Sequence, residues 1–99
     1  MEIKQAAMAG TLESCDCQVR VEPADKGIEL ELKSDVIRQY GKQIRAVIED
    51  TLSRLQVENA RVTVVDKGAL DCTIRARVEC ALFRSAGQTE NIPWGGSVR

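Results

Sequence analysis

The chain contains no histidine and has only one tryptophan, one tyrosine and one phenylalanine. Without histidine the commonest general base of enzymes is missing, and no serine, cysteine or lysine stands beside an obvious activating partner. We therefore expect no catalysis by this chain alone. The shortage of aromatic rings also argues against a sheet that binds nucleic acid, because such sheets stack bases on aromatic side chains.

The chain also lacks a dominant charge and a long apolar run. Lysine and arginine number 14 against 15 aspartate and glutamate residues, so the net charge is -1 and no general field attracts polyanions. No apolar run approaches the length of a membrane span, and residues 1–5 lack the basic-then-apolar order of a secretory signal. We expect a cytoplasmic protein that binds neither nucleic acid nor membrane.

Cysteine is present, but not in a pattern typical of a metal site or a disulfide framework. The four cysteines are Cys15, Cys17, Cys72 and Cys80. The first pair is separated by one residue, whereas zinc sites use two to four, and histidine is absent. In a reducing compartment these residues are expected to be free thiols, and Cys15 and Cys17 are expected to share one face of a strand. No metal site is predicted.

The 99 residues are enough for one domain with an aliphatic core. Apolar and polar residues alternate in three segments, which predicts strands over residues 15–22, residues 28–33 and a segment after Asn59 that stops at Asp66. The turn residues at 23–27 indicate a hairpin between the first two strands. Residues 1–13 are expected to form a flexible arm, and residues 88–99 an irregular tail.

Two helices complete the prediction. Apolar residues recur at intervals of three and four over residues 35–55, behind Ser34 or Asp35 as the cap. The segment from Leu70 to Ser85 fits both a strand and a helix, and its length, its alanine and arginine content and the stop at Gly87 favour a helix.

The order strand, strand, helix, strand, helix predicts a two-layer α+β sandwich (ββαβα). A right-handed crossover that skips one position would pair the third strand antiparallel with the first. This gives a three-stranded antiparallel sheet in the order 2-1-3, with both helices on one face.

Ser14 lies at the entrance to the first alternating segment, in residues 10–14 (Gly-Thr-Leu-Glu-Ser). The sequence also contains three further segments, which are residues 66–71 (Asp-Lys-Gly-Ala-Leu-Asp), residues 74–79 (Ile-Arg-Ala-Arg-Val-Glu) and Pro93-Trp94 near the end. With these segments the chain resembles the citrate lyase acyl carrier protein, the gamma subunit of that enzyme. The resemblance covers nearly the whole chain and identifies residues 1–99 as one acyl carrier domain.

The resemblance implies that Ser14 carries 2'-(5''-phosphoribosyl)-3'-dephospho-CoA, attached covalently through a phosphodiester. The thiol of that group would bear acetyl and citryl thioesters between the alpha subunit, a transferase, and the beta subunit, a lyase, as citrate is cleaved to acetate and oxaloacetate. A prosthetic-group transferase (holo-carrier synthase) and a citrate lyase ligase are further implied partners. The chain itself would be a non-catalytic carrier, a phosphoprotein of citrate fermentation.

Taken without the resemblance, Ser14 is most simply a turn residue. Glu13 and Asp16 could orient it for a transferase or could simply be solvated. The cations Lys67, Arg75, Arg77 and Arg84 could meet cofactor phosphates or a partner, although exposed arginines often do neither. A malonate decarboxylase-type carrier, a small nucleic-acid-binding domain and an adaptor that adds an edge strand to a partner are the alternatives.

Overall fold

The computed structural model describes residues 1–35 and 37–87, which form one sheet and two helices. The elements are the following: β1 Ala7–Gly10, β2 Cys17–Glu22, β3 Ile28–Ser34, α1 Ile37–Arg54, β4 Ala60–Asp66 and α2 Asp71–Ser85. The predicted irregular tail at residues 88–99 lies outside the described residues.

The sheet is mixed and has the strand order β1-β2-β4-β3. β2 pairs antiparallel with β1 and with β4, in a register that sets Ala9 opposite Val19 and Cys17 opposite Asp66. β3 pairs parallel with β4 and ends with Ser34 opposite Asp66. Helix α1 therefore connects two neighbouring parallel strands, as a crossover of this kind requires.

The predicted three-stranded antiparallel sheet is wrong in two respects. It omits β1, and it places β3 beside β2 as a hairpin, whereas β4 lies between them. The physical reason is that both edges of β2 are occupied, by β1 and by β4, so that β3 can pair only with the outer edge of β4. The predicted antiparallel pairing of β2 with β4 and the two-layer α+β class are confirmed.

β1 lies in the segment that was expected to be an arm. Its sequence, Ala-Met-Ala-Gly, has no β-branched residue and gives no strand signal of its own. It forms because the edge of β2 offers unpaired backbone groups, and because Ala9 is small enough to be buried beneath α2. Upstream, the backbone N–H groups of Lys4 and Gln5 both donate to the carbonyl of Ser85.

Both helices cover one face of the sheet, as predicted. The inward-facing valines of β2 and β4 pack against the apolar sides of α1 and α2. The fully buried apolar residues are Cys17, Val19, Val21, Ile48, Ala60, Val62, Val64, Ile74, Val78, Ala81, Leu82 and Phe83. The opposite face carries charged side chains, including the ion pair between Arg61 and Glu29. The alternating apolar side chains of the strands and the periodic apolar side chains of α1 thus pack in one core.

The ambiguous segment after Leu70 is helical, which confirms the prediction. As a helix it buries Ile74, Val78 and Leu82, spaced by four residues, against the sheet. Neither helix in the described part of the chain is long and apolar enough to cross a membrane.

Candidate functional site

Ser14 lies in the loop that joins β1 to β2, at the end of the sheet where β4 runs into α2. We call this the serine end of the molecule, defined by residues 11–16 and residues 67–72. The register brings the two segments together, because Cys17 at the start of β2 faces Asp66 at the end of β4.

The Ser14 side chain is exposed in a turn. Within residues 1–35 and 37–87 its hydroxyl makes no hydrogen bond to the protein. The next residue, Cys15, has a φ of 62°, in the left-handed region that non-glycine residues seldom occupy. The chain therefore turns sharply just after the serine and leaves its primary alcohol exposed to solvent.

The loop around this free hydroxyl is extensively hydrogen-bonded. The Thr11 hydroxyl donates to Asp16 Oδ2 at 2.7 Å and accepts from the backbone N–H of Glu13 at 3.2 Å. The backbone N–H of Asp16 donates to the carbonyl of Glu13, and that of Cys17 donates to Asp16 Oδ1 at 2.7 Å. Ser14 thus lies in a turn whose two sides are joined by hydrogen bonds.

Arg77 of α2 fixes the same carboxylate from outside the loop. Its Nε donates to Asp16 Oδ1 at 3.0 Å and its Nη2 donates to Oδ2 at 3.1 Å, which is a two-pronged pair. The Asp16 side chain is 14% exposed and that of Arg77 is 40% exposed. The Arg77 guanidinium, followed by the Thr11 hydroxyl, lowers the pKa of Asp16 from 3.8 to about 2, so the carboxylate is charged at neutral pH.

The loop is also joined to the residue that follows β4. The backbone N–H of Cys15 donates to the carbonyl of Lys67 at 2.8 Å, and the N–H of Lys67 donates to the carbonyl of Asp16 at 2.9 Å. Behind Lys67, the buried Asp66 carboxylate accepts from the Ser34 hydroxyl and from the backbone N–H of Ala69. The serine end is therefore a single hydrogen-bonded unit.

Gly10 allows β1 to meet this loop. Its φ is +88°, and a Cβ at this position would overlap the carbonyl oxygen of Cys17 and lie 3.2 Å from Cδ of Arg77. Only glycine fits such a close approach of two backbones without a shift. Gly10 and Thr11 belong to the motif of residues 10–14, but no local pattern predicts their structural roles or the pairing of Asp16 with Arg77.

The four cations considered for phosphate or partner contacts already have partners within the chain. Arg77 holds Asp16, and Arg84 donates to the carbonyl of Met8 at 2.8 Å. The side-chain nitrogens of Lys67 and Arg75 lie 3.7 and 3.8 Å from the carboxylates of Asp35 and Asp50. Arg77 and Arg84 thus hold β1 and its loop against α2.

The prediction that Cys15 and Cys17 share one face of a strand is wrong, because β2 begins at Cys17 and Cys15 lies in the turn before it. The Cys17 thiol is buried in the core, and desolvation, with smaller contributions from the charges of Asp16 and Asp66, raises its pKa to about 12. Cys15 is exposed, as is Cys72, and all four cysteines are free thiols. In the part of the chain that the structure describes, no three metal-ligating side chains come together.

A cleft of about 560 Å³ opens beside the Ser14 loop, between α1 and the segment that follows β4. One wall is formed by Tyr40 and Ile44 of α1, and the other by residues 68–72. Tyr40 on the first wall is 53% exposed and Leu70 on the second is 72% exposed, which makes both of them large apolar side chains open to solvent. Ile44 is buried beneath them.

Comparison with known proteins places this chain in a family. A family model labelled ACP and described as the malonate decarboxylase delta subunit matches residues 4–85. The citrate lyase acyl carrier protein of Streptococcus equi subsp. zooepidemicus is 55% identical over 95 residues, which are 95% of this chain and 92% of that protein. The citrate lyase acyl carrier protein of Oenococcus oeni is 50% identical over 94 residues, 95% of this chain and 97% of that one. This chain belongs to the citrate lyase acyl carrier protein family.

The fold of this citrate lyase carrier family member also occurs in a solved structure. A chain of the Pseudomonas malonate decarboxylase hetero-tetramer, crystallised in complex with malonate, superimposes with a TM-score of 0.74. The match covers 83% of this chain and 84% of the other, at 19% sequence identity. At that identity the likeness concerns the fold alone.

Proposed function

We propose that this protein is the acyl carrier subunit of citrate lyase and that Ser14 is the residue that holds its prosthetic group through a phosphodiester. The observation that carries the proposal is the exposed hydroxyl of Ser14, which makes no hydrogen bond to the described part of the protein. It lies on a loop that is fixed on both sides of the serine by hydrogen bonds. A serine hydroxyl suits a stable phosphodiester, and the residues around it leave the approach to its oxygen open. The residues present therefore fit the group.

The proposed group is 2'-(5''-phosphoribosyl)-3'-dephospho-CoA, which supplies a terminal thiol for acyl thioesters. The chain's own residues hold the base of this tether. Thr11, Asp16 and Arg77 are positioning residues, because they fix the turn beside Ser14 without using the serine hydroxyl. A tether is useful when its anchor is rigid and its free end can visit several sites. The effective concentration of the tethered group at each site then depends on the length of the tether.

The proposed partners are the alpha and beta subunits of citrate lyase, the prosthetic-group transferase and the ligase, in the cytoplasm. The chain is proposed to act on no substrate by itself. A malonate decarboxylase-type carrier is the second candidate, favoured by the description of the matching family model and by the shared fold. The relatives at 50% and 55% identity, which bear the citrate lyase name, favour the first.

The test is the intact mass of the chain purified from cells that express the complete citrate lyase operon, followed by fragmentation. We expect one added group, larger than phosphopantetheine, on Ser14. Ser14→Ala should abolish both the added mass and citrate cleavage by the assembled enzyme. The matched control is Ser53→Ala, an exposed serine on α1, which should keep both.

An unmodified Ser14 in cells with active citrate lyase would overturn the carrier proposal and favour the adaptor. A group of the same mass on Cys15 would move the anchor by one residue. Complementation of a malonate decarboxylase that lacks its carrier, but not of citrate lyase, would favour the second candidate.

A further inference from the structure

The cleft at the serine end has the features of a small-molecule site. Its volume of about 560 Å³ lies within the usual range for such sites, and its walls are mostly apolar with a few polar groups at the rim. The aromatic ring of Tyr40 is half exposed on one side, and the side chain of Leu70 projects on the other.

The polar part of the rim is an amide next to a carboxylate. Gln43 Nε2 donates to Asp71 Oδ2 at 2.7 Å, and both side chains are exposed. An amide group has two N–H donors and one acceptor, so Gln43 retains one N–H and its oxygen for another molecule. Paired in this way, a glutamine offers the donor and acceptor that recognise the N7 and the exocyclic amine of adenine.

The cleft lies within reach of Ser14. Cys15, next to the serine, is hydrogen-bonded to Lys67, and the cleft wall begins at the following residue, Gly68. In the proposed prosthetic group the phosphoribosyl unit follows the serine and the adenosine comes next, before the diphosphate and the thiol arm. The adenosine is therefore the part of the group that lies near its anchor.

Resting on the proposed function, we propose that the cleft formed by Tyr40, Gln43, Ile44, Leu70 and Asp71 binds the adenine of the group attached to Ser14. The ring lies between Tyr40 and Leu70, and its amino edge meets Gln43 and Asp71. Docking the adenine fixes the first part of the tether against the protein and leaves the thiol arm free to move. The carrier then presents a shorter, directed arm in place of a fully flexible one.

The test uses the modified protein, with the group first located on Ser14 by mass. Cys72 lines the cleft and its thiol is exposed, so it reports occupancy. If the cleft is filled about nine-tenths of the time, alkylation of Cys72 slows about tenfold relative to the unmodified chain. Cys80 on the same helix, outside the cleft, should react at the same rate in both forms. Nuclear Overhauser effects from adenine protons to the Tyr40 ring and Leu70 methyl groups should accompany this protection.

Two variants of the modified protein separate docking from folding. Tyr40→Ala should restore the alkylation rate of Cys72 to that of the unmodified chain. Gln43→Leu should raise this rate only part of the way to that value. Met8→Ala, which removes an exposed apolar side chain on the open face of the sheet, should leave the protection intact.

One result would overturn the adenine site and leave the carrier proposal standing. In it, Ser14 is modified, but the alkylation rate of Cys72 is unchanged and no nuclear Overhauser effect connects the adenine to Tyr40. Protection of Cys72 only after the alpha or beta subunit is added would also overturn it, because the cleft would then be a protein interface. An absence of any group on Ser14 would instead remove the proposed function itself.

Discussion

Arg77 donates two hydrogen bonds to Asp16, from a helix to a loop that lies 61 positions away in the sequence. This pair joins the last described helix to the loop that carries Ser14. The other acceptor sites of the carboxylate are filled by the Thr11 hydroxyl and the Cys17 backbone N–H. The geometry of the loop therefore depends on this guanidinium.

Arg77→Met should lower the free energy of unfolding by about 1 kcal/mol, because the pair is charge-assisted but partly exposed to solvent. Urea denaturation followed by circular dichroism measures this loss. The matched control is Arg61→Met, whose partner Glu29 is mostly exposed, and this change should have a smaller effect. Equal losses from the two variants would contradict the importance of the Asp16 pair.

The Asp16 pair also predicts a pH dependence. A carboxylate whose pKa is lowered by folding stabilises the folded state above its ordinary pKa, and that contribution is lost as the pH falls through the lowered value. For Asp16 this window runs from 3.8 down to about 2. Carboxyl carbon chemical shifts should show a midpoint near the lower value in the natural chain and a rise toward 3.8 in Arg77→Met. An unchanged midpoint in the variant would refute the assigned cause.

Gly10→Ala should destabilise the fold by about 2 kcal/mol or more, because it adds a Cβ in a left-handed conformation and against the Cys17 carbonyl. Gly27→Ala is the control. Its φ is +77°, but beyond the adjoining residues no atom lies within 4 Å of the added Cβ, so only the backbone strain of about 1 kcal/mol is expected. Thermal unfolding of the two variants gives the difference, and a larger loss at Gly27 would contradict the close approach at Gly10.

Alkylation at pH 8 should distinguish Cys15 from Cys17 in the unmodified chain. Cys15 is exposed and should react readily, whereas Cys17 is buried and its pKa of about 12 leaves almost no thiolate. Peptide mapping after brief iodoacetamide treatment should find the label on Cys15, and on Cys17 only after denaturation. Rapid labelling of Cys17 in the native protein would show that β2 opens easily at its first residue.

Local pattern was enough to predict α1 and the three longer strands, because apolar residues recur in each with the period of its own secondary structure. The period of α2 fits both a strand and a helix, and length, composition and the stop at Gly87 decided in favour of the helix. β1 could not be predicted in this way, since Ala9 and Gly10 carry no strand preference and are ordered by the edge of β2 and the nearness of α2. The strand order also escaped prediction, because parallel pairing of β3 with β4 depends on which edges the other strands leave free.

The candidate site also has a part that could be predicted from the sequence and a part that could not. Ser14 was selected through the family resemblance that residues 10–14 help to carry, and its attachment role stays a prediction. Asp16 and Arg77 were each considered for contacts outside the chain, and their pairing with each other was invisible because no short-range spacing relates them. The cleft was missed too, although Leu70, an apolar residue just before α2 with no place in the core, was a signal of it.

The hydrogen bonds from Cys15 to Lys67 and from Lys67 to Asp16 have a consequence for biosynthesis. Ser14 leaves the ribosome early, but the supports of its loop belong to the last third of the chain. The loop thus reaches its final form only after β4 and α2 have emerged and folded. We therefore expect any enzyme that recognises this form of the loop to act on completely folded chains and to pass over nascent, truncated or misfolded ones.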